Sequence, residues 1–186
     1  EKILELKNVV YSFHTYGGVV RAVRDVSFDV RRGEIVGIVG ESGCGKSVTA
    51  QCIMRLDPEP PGFFGGGEII FEGRDILKMD KKELRRVRGR EIGFIFQDPM
   101  TSLNPTMKIG AQIEEVFLGR TDVTKKEVKE KALNIMKLVG ISDVEKRYSQ
   151  YPQELSGGMK QRVMIAIALV SQPSLIICDE STTSLD

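Results

Sequence analysis

The chain has 186 residues, of which 41% are apolar, which is enough for one domain with a sizeable core. Its 27 lysines and arginines nearly balance its 26 aspartates and glutamates, so overall charge indicates neither a nucleic-acid binder nor a polycationic membrane coat. The three cysteines, Cys44, Cys52 and Cys178, lack the paired spacing of zinc ligands and indicate reduced cytosolic thiols. Without a leader pattern or an apolar run near the roughly 20 residues of a membrane-spanning helix, we expect a protein that is neither secreted nor inserted in a bilayer.

The N-terminal third is predicted to be rich in β-strands. Short apolar runs separated by turn signals fill the first thirty residues, a pattern typical of antiparallel strands. Residues 34–39 are almost continuously apolar, which predicts a strand buried on both faces, and 47–56 predicts a helix. Three prolines and four glycines mark 57–67 as a surface connection, and 68–73 is predicted to be a strand and turn.

The remaining sequence alternates helix and strand signals. Capping patterns at 80–83 and 124–127 predict two helix starts, and the second opens an amphipathic run over 128–139. Apolar content predicts a short strand at 92–96, a helix at 161–170 and a buried strand at 175–178. A β-rich start, a parallel α/β core and a set of inserted helices follow from this order.

A glycine-rich segment between the predicted strand 34–39 and the helix after it fits the pattern G-x-x-x-x-G-K-[ST]. Its glycines would let backbone N–H groups surround phosphates, and the helix start adds positive dipole. Lys46 would neutralise β- and γ-phosphates, and the Ser47 hydroxyl would ligate Mg²⁺. An ordinary glycine-rich turn is the alternative. The predicted nucleotide contacts are Gly40, Glu41, Ser42, Gly43, Cys44, Gly45, Lys46, Ser47 and Val48.

Two adjacent acids, Asp179 and Glu180, follow the predicted strand 175–178 and so emerge at the carboxyl edge of a sheet. Mg²⁺ prefers oxygen ligands and keeps waters, so Asp179 would hold it through water while Glu180 polarises an attacking water. A solvated strand end with incidental charges is the alternative.

A second glycine-rich helix start lies at residues 155–161, which read L-S-G-G-M-K-Q. It offers anion donors from Ser156, Gly157 and Gly158, although a bare helix cap would look alike. With the phosphate loop and acidic strand in the same order, the sequence resembles the ABC ATPase family over essentially its whole length. The resemblance implies an α/β fold, a P-loop NTPase of ABC type with a parallel-sheet core, an N-terminal antiparallel β subdomain and an inserted helical subdomain.

The resemblance also implies a domain layout. Residues 1–186 form one ABC ATPase domain: 1–97 hold the β subdomain and P-loop core, 98–160 the helical insertion, and 161–186 the return to the core. The end of the domain is expected beyond Asp186, together with a switch histidine that His14 cannot replace, so hydrolysis is assigned to the complete subunit.

Several roles rest on the resemblance alone. Gln97 matches the Q-loop glutamine that faces Mg²⁺ and the attacking water, and 184–186 match the D-loop of the dimer interface. Phe13 aligns best with the aromatic that stacks on adenine, with Tyr11 and Tyr16 as alternatives. The expected catalytic residues are Glu180, Gln97 and Lys46, and the expected Mg²⁺ ligands are Ser47, Gln97 and Asp179.

Residues 96–105 look like the peptide and nickel importer branch, although Ser181 replaces the usual proline after the acids. Peptide import is therefore the expected role, with nickel or a sugar oligomer as other cargo. The implied partners are a second ABC ATPase subunit packed head to tail, in a homodimer or heterodimer, transmembrane permease subunits and, indirectly, a periplasmic or extracellular solute-binding protein, without nucleic acid. The implied location is the cytoplasmic face of the cell membrane. The alternatives are a soluble ABC-type ATPase acting on ribosomes or DNA, and a non-hydrolysing nucleotide-binding module.

Overall fold

The structure is a computed structural model that describes residues 1–97 and 102–179. The chain divides into two compact units, Glu1–Arg85 and Arg86–Asp186. The three-part layout expected from the sequence stays a prediction. Within the described ranges, every helix is too short or too polar to cross a membrane.

The first unit is built on a four-stranded antiparallel sheet with the order β2-β1-β3-β4. Its strands are β1 (Lys2–Thr15), β2 (Gly18–Arg31), β3 (Gly62–Phe71) and β4 (Arg74–Asp75), and its helix α1 spans Lys46–Ile53. The antiparallel start predicted from the sequence is confirmed, but the short apolar runs are joined into two long strands. The pairing of β1 with β2 changes register at several points, one of them between Leu6 and Val9, where the polar Lys7 and Asn8 lie.

One of these irregularities is held by side chains. Asn8 and Asp25 both have positive φ, 48° and 54°, and the Asn8 amide donates to the Asp25 carboxylate at 2.7 Å. The Asn8 N–H donates to the Ser27 hydroxyl at 2.8 Å. Side-chain bonds therefore replace part of the ladder where the two strands change register.

The connection predicted over residues 57–67 is wrong in its second half, because β3 already begins at Gly62. Its glycines allow a close approach to β1: a Cβ on Gly67, whose φ is +96°, would lie 2.5 Å from the Asn8 carbonyl oxygen. Glycine at this position therefore marks a strand packed tightly against its neighbour, although in a sequence it also signals a loop.

The buried strand predicted at residues 34–39 is wrong. The structure has no strand there, and Ile35 and Val39 are 98% and 96% exposed. A strand buried on both faces needs hydrogen-bonded neighbours and covering side chains. None of the described strands of the first unit pairs with this segment.

The second unit is mostly helical. Helix α2 (Lys81–Arg86) crosses the boundary into it and continues as a π-helical turn, Val87–Glu91, before β5 (Ile92–Ile95). The later elements are α3 (Ile109–Glu114), the 3₁₀ turn Glu115–Phe117, α4 (Lys125–Leu138), α5 (Val144–Tyr148), the 3₁₀ turn Pro152–Glu154, α6 (Gly157–Leu169) and β6 (Leu175–Cys178). Fully buried residues of α3, α4 and α6, including Ile113, Met136 and Val163, form its core.

Both predicted helix starts are confirmed by their hydrogen bonds. The Glu83 N–H donates to the Asp80 carboxylate at 2.8 Å, and the Asp80 N–H returns a bond to Glu83 at 3.1 Å. Thr124 and Glu127 form the same reciprocal pair at 3.3 and 2.7 Å. These capping boxes depend on four consecutive residues only, so the sequence identifies them.

Strands β5 and β6 pair in parallel, with Ile92 opposite Leu175 and Ile95 opposite Cys178, as the predicted parallel core requires. The expectation that 175–178 is buried is wrong, because its residues alternate between half-buried and exposed and Ile176 is 43% exposed. In the described ranges β6 has β5 as its strand neighbour, so only part of its surface is covered.

Candidate functional site

The glycine-rich loop ahead of α1 has the conformation that an anion-binding turn requires. Gly43 and Gly45 have φ of 78° and 94°, and Gly45 is the N-cap residue of α1. A Cβ at Gly45 would collide with the carbonyl oxygen of Ala22 in β2. The loop is thus seated on the sheet at a position where only glycine fits.

The Lys46 side chain forms hydrogen bonds with the backbone of the glycine-rich loop. Its Nζ donates to the carbonyl oxygens of Gly40 at 2.9 Å and Glu41 at 2.8 Å, and it lies 4.0 Å from Cys44 Sγ. The Cys44 N–H donates to the Glu41 carbonyl at 3.3 Å, which closes a turn around the lysine. The ammonium group is therefore held by two backbone carbonyl groups of the loop.

The first turn of α1 adds to this anion-binding character. It contains no acidic side chain, so no carboxylate offsets the positive end of the helix dipole there. Ser47 and Val48 lie half-buried in this turn, while Glu41 and Ser42 are exposed at the loop tip. The structure thus brings together the predicted loop residues of 40–48.

The three aromatic candidates for base stacking differ in exposure, and the assignment to Phe13 stays a prediction. Tyr11 is only 1% exposed, and Tyr16 is fully exposed in the β1–β2 turn. Phe13 is half-buried, stands edge-on to Tyr11 at 5.2 Å, and pairs with Val20. Val20 lies two residues before Ala22, the residue that supports the loop at Gly45, so Phe13 belongs to the same part of the sheet.

Ala22 is a contact that sequence reasoning missed. It acts through its backbone carbonyl, which faces Gly45, and a backbone contact leaves no side-chain signal in a sequence.

Gln97 and Asp179 lie at one edge of the parallel pair. They follow β5 and β6, and the Asp179 N–H donates to the Ile95 carbonyl at 3.0 Å, which extends the pairing to the strand ends. Gln97 is exposed and Asp179 half-buried. Glu180 and the predicted D-loop, 184–186, lie outside the described residues.

The donor types fit Mg²⁺. This ion keeps several waters and is commonly held by one or two carboxylates together with substrate phosphates, and the edge supplies one amide and one carboxylate. In the ranges that the structure describes, no cluster of three His, Cys, Asp or Glu side chains is arranged to hold a metal. The grouping of this edge with Ser47, which belongs to the first unit, stays a prediction.

The second predicted anion site is a well-formed helix start. Ser156 is the N-cap of α6, and its hydroxyl accepts the Met159 N–H at 3.3 Å, which leaves the hydroxyl proton to donate elsewhere. Ser156 and Gly157 are exposed and Gly158 is half-buried. Gln161, the last residue of the motif, is completely buried.

The family model for ABC transporters matches residues 23–183. The chain belongs to the ABC transporter family. The match includes the glycine-rich loop, both strand ends and the L-S-G-G segment, and it agrees with the observed combination of an antiparallel N-terminal sheet, a parallel pair and helices.

Two curated proteins are similar to this chain over its whole length. The chain is 56% identical to the oligopeptide transport ATP-binding protein OppD and 50% identical to the dipeptide transport ATP-binding protein DppD, both of Bacillus subtilis, over 100% of its own length. It covers 52% and 56% of these proteins, so the chain spans about half the length of the curated relatives it matches.

A solved structure supports the fold. A dimeric ATP-binding cassette, determined in a post-hydrolysis state with ADP and Pi, is 31% identical and superposes with a TM-score of 0.86, covering 98% of this chain and 76% of the other. The fold class expected from the sequence, an α/β P-loop NTPase of ABC type, is thereby confirmed.

Proposed function

We propose that this chain is the nucleotide-binding part of an ATP-hydrolysing subunit that powers peptide import. The observation that carries the proposal is the loop around Lys46. A cation, a left-handed Gly45 and the acid-free start of α1 form a compact phosphate-binding cradle. Family membership and the names of the relatives, both peptide transport ATP-binding proteins, support the same function.

In this proposal each side chain has a separate task on ATP. Lys46 leaves the loop carbonyls to contact the β- and γ-phosphates, and Phe13 stacks on the adenine. Ser47, Gln97 and Asp179 would hold Mg²⁺, which would neutralise charge on the phosphate oxygens when bound. Glu180 orients and polarises the water that attacks the γ-phosphate in line, while Gln97 helps to orient it.

The L-S-G-G segment completes the site of a second subunit. Its N-cap hydroxyl and helix N–H groups at Ser156, Gly157 and Gly158 are presented to solvent or half-buried, which suits contact with a γ-phosphate bound by a partner. The dimeric state of the solved cassette supports this head-to-tail arrangement. Homodimers and heterodimers are both compatible with it.

Permease subunits in the membrane are the proposed partners for transport, with a solute-binding protein acting on the far side of the bilayer. The proposed location is therefore the cytoplasmic face of the cell membrane. We propose peptides as the cargo, and not nickel or sugars, because the compared relatives are named for oligopeptides and dipeptides.

Substitutions in the complete subunit test the ATPase proposal. Glu180→Gln should keep ATP binding and lower turnover roughly 10²–10⁴-fold, the usual scale for a positioned base, whereas Lys46→Ala should weaken nucleotide binding itself. The measurements are phosphate release and a titration with fluorescent ATP. Normal turnover in Glu180→Gln would contradict the assigned base, and unchanged ATP affinity in Lys46→Ala would contradict the loop assignment. Peptide uptake by vesicles containing the complete transporter tests the cargo.

A further inference from the structure

The backbone that leads into α6 passes through a turn closed by a single exposed carboxylate. This turn, Pro152–Glu154, lies between the end of α5 and the N-cap Ser156. The Tyr151 N–H donates to Glu154 Oε2 at 2.7 Å, and the Leu155 N–H donates to the Pro152 carbonyl at 3.1 Å. Glu154 thus closes the turn from outside while the backbone closes it from within.

The other carboxylate oxygen of Glu154 connects the turn to α5. Gln150 Nε2 donates to Glu154 Oε1 at 3.4 Å, and Arg147, in the last turn of α5, donates to Gln150 Oε1 at 2.9 Å. The Gln150 carbonyl in turn accepts the Ile109 N–H at the start of α3, at 2.9 Å. Glu154 is therefore the end of a hydrogen-bonded chain that begins on two other helices.

Leu155 and Ser156 connect the turn to α6. Leu155 is 7% exposed and belongs to the core of the unit, so its position is fixed by packing. Both residues are extended, with ψ of 147° and 163°, so the turn joins the start of α6 without an intervening loop. A misplacement of about 1 Å in a catalytic arrangement can cost roughly 10²-fold in rate.

We propose that Glu154 is a positioning residue that sets the direction in which Ser156 and the first N–H groups of α6 meet a phosphate. The inference rests on the proposed function, because that phosphate belongs to ATP bound by a partner subunit. Glu154 is exposed, so its side chain buries little area. Its loss should alter geometry more than stability.

The test uses the complete subunit assembled with its transporter partners and three variants. Glu154→Ala removes both contacts, Glu154→Gln keeps an oxygen acceptor for the Tyr151 N–H, and Glu130→Ala removes an exposed carboxylate of α4 as a matched control. We expect Glu154→Ala to lower kcat roughly tenfold with KM, Tm and the ATP affinity of the isolated subunit equal to those of Glu130→Ala. Glu154→Gln should restore most of the turnover.

Three outcomes would overturn the inference. Equal kcat in Glu154→Ala and Glu130→Ala would show that the signature helix keeps its direction without Glu154, while the proposed function would stand. A fall of Tm in parallel with kcat, without recovery in Glu154→Gln, would assign Glu154 a purely structural role. If the unsubstituted complex neither bound nor hydrolysed ATP, the proposed function would fail, and the positioning role with it.

Discussion

Alanine at Gly45 separates two reasons for glycine in the phosphate loop. Gly43 and Gly45 share a left-handed φ, but a Cβ at Gly43 meets no atom within 4 Å, whereas one at Gly45 meets the Ala22 carbonyl. The left-handed backbone costs a non-glycine residue about 1–2 kcal/mol, and overpacking adds about 1–3 kcal/mol. We therefore expect Gly43→Ala to lower the free energy of unfolding by about 1–2 kcal/mol and Gly45→Ala by about 2–5 kcal/mol.

The assay is urea unfolding of the complete subunit, followed by circular dichroism, together with a titration with fluorescent ATP. Because Gly45→Ala must push the loop away from β2, we also expect it to bind ATP roughly tenfold more weakly than Gly43→Ala, a difference of about 1.4 kcal/mol. Equal destabilisation and equal affinity in the two variants would refute the reasoning. They would mean that the loop does not depend on its contact with Ala22.

Three further substitutions are predicted to change the stability of the protein, which is measured by chemical unfolding. Tyr11→Phe removes a buried hydroxyl for which the described residues supply no hydrogen-bond partner, so it should stabilise the protein by about 1 kcal/mol. Burial raises the pKa of Tyr11 to about 12; the unfolded chain loses this proton first, so stability should fall between pH 10 and 12, less steeply in Tyr11→Phe. Thr124→Ala removes the N-cap of α4 and should cost about 1 kcal/mol. Arg162→Met removes a 2.7 Å bond to the Val139 carbonyl at the end of α4 and should cost about 2 kcal/mol.

Each of these predictions has a clear contrary result. A destabilised Tyr11→Phe variant would indicate that the hydroxyl has a partner such as a bound water. Thr124→Ser should retain the stability that Thr124→Ala loses, and equal losses would contradict the capping role. Lys137→Met, which removes an exposed cation of α4, serves as the control for Arg162→Met, and equal effects would leave the Arg162 bond without a net contribution.

Features determined by a few consecutive residues were predictable from the sequence. The capping boxes at Asp80 and Thr124, the glycine-rich turn before α1 and the helix start at Ser156 are local, since their hydrogen bonds join residues at most a few positions apart. The parallel pairing of the strands that precede Gln97 and Asp179 is also as predicted.

Features determined by distant neighbours were not predictable. Apolar composition predicted burial for residues 34–39, yet burial depends on which strands lie alongside, and none of those described for the first unit does. Glycines at 62–67 suggested a loop because the sequence does not reveal the close approach of β1. Similarly, the choice between Phe13 and Tyr11 depends on cross-strand packing, since Tyr11 is enclosed by Phe13 and Phe64.

The two hydrogen bonds from Lys46 to the Gly40 and Glu41 carbonyls have a consequence for ligand discrimination. A phosphate chain must compete with the two loop carbonyls for the Lys46 ammonium. The contribution of Lys46 to ATP affinity is therefore the difference in free energy between its contacts with phosphate and its contacts with the carbonyls. A nucleoside monophosphate has no β- or γ-phosphate to offer the lysine and gains nothing from the exchange. In the proposed function, the loop therefore discriminates against nucleotides whose phosphate chain is too short to reach Lys46.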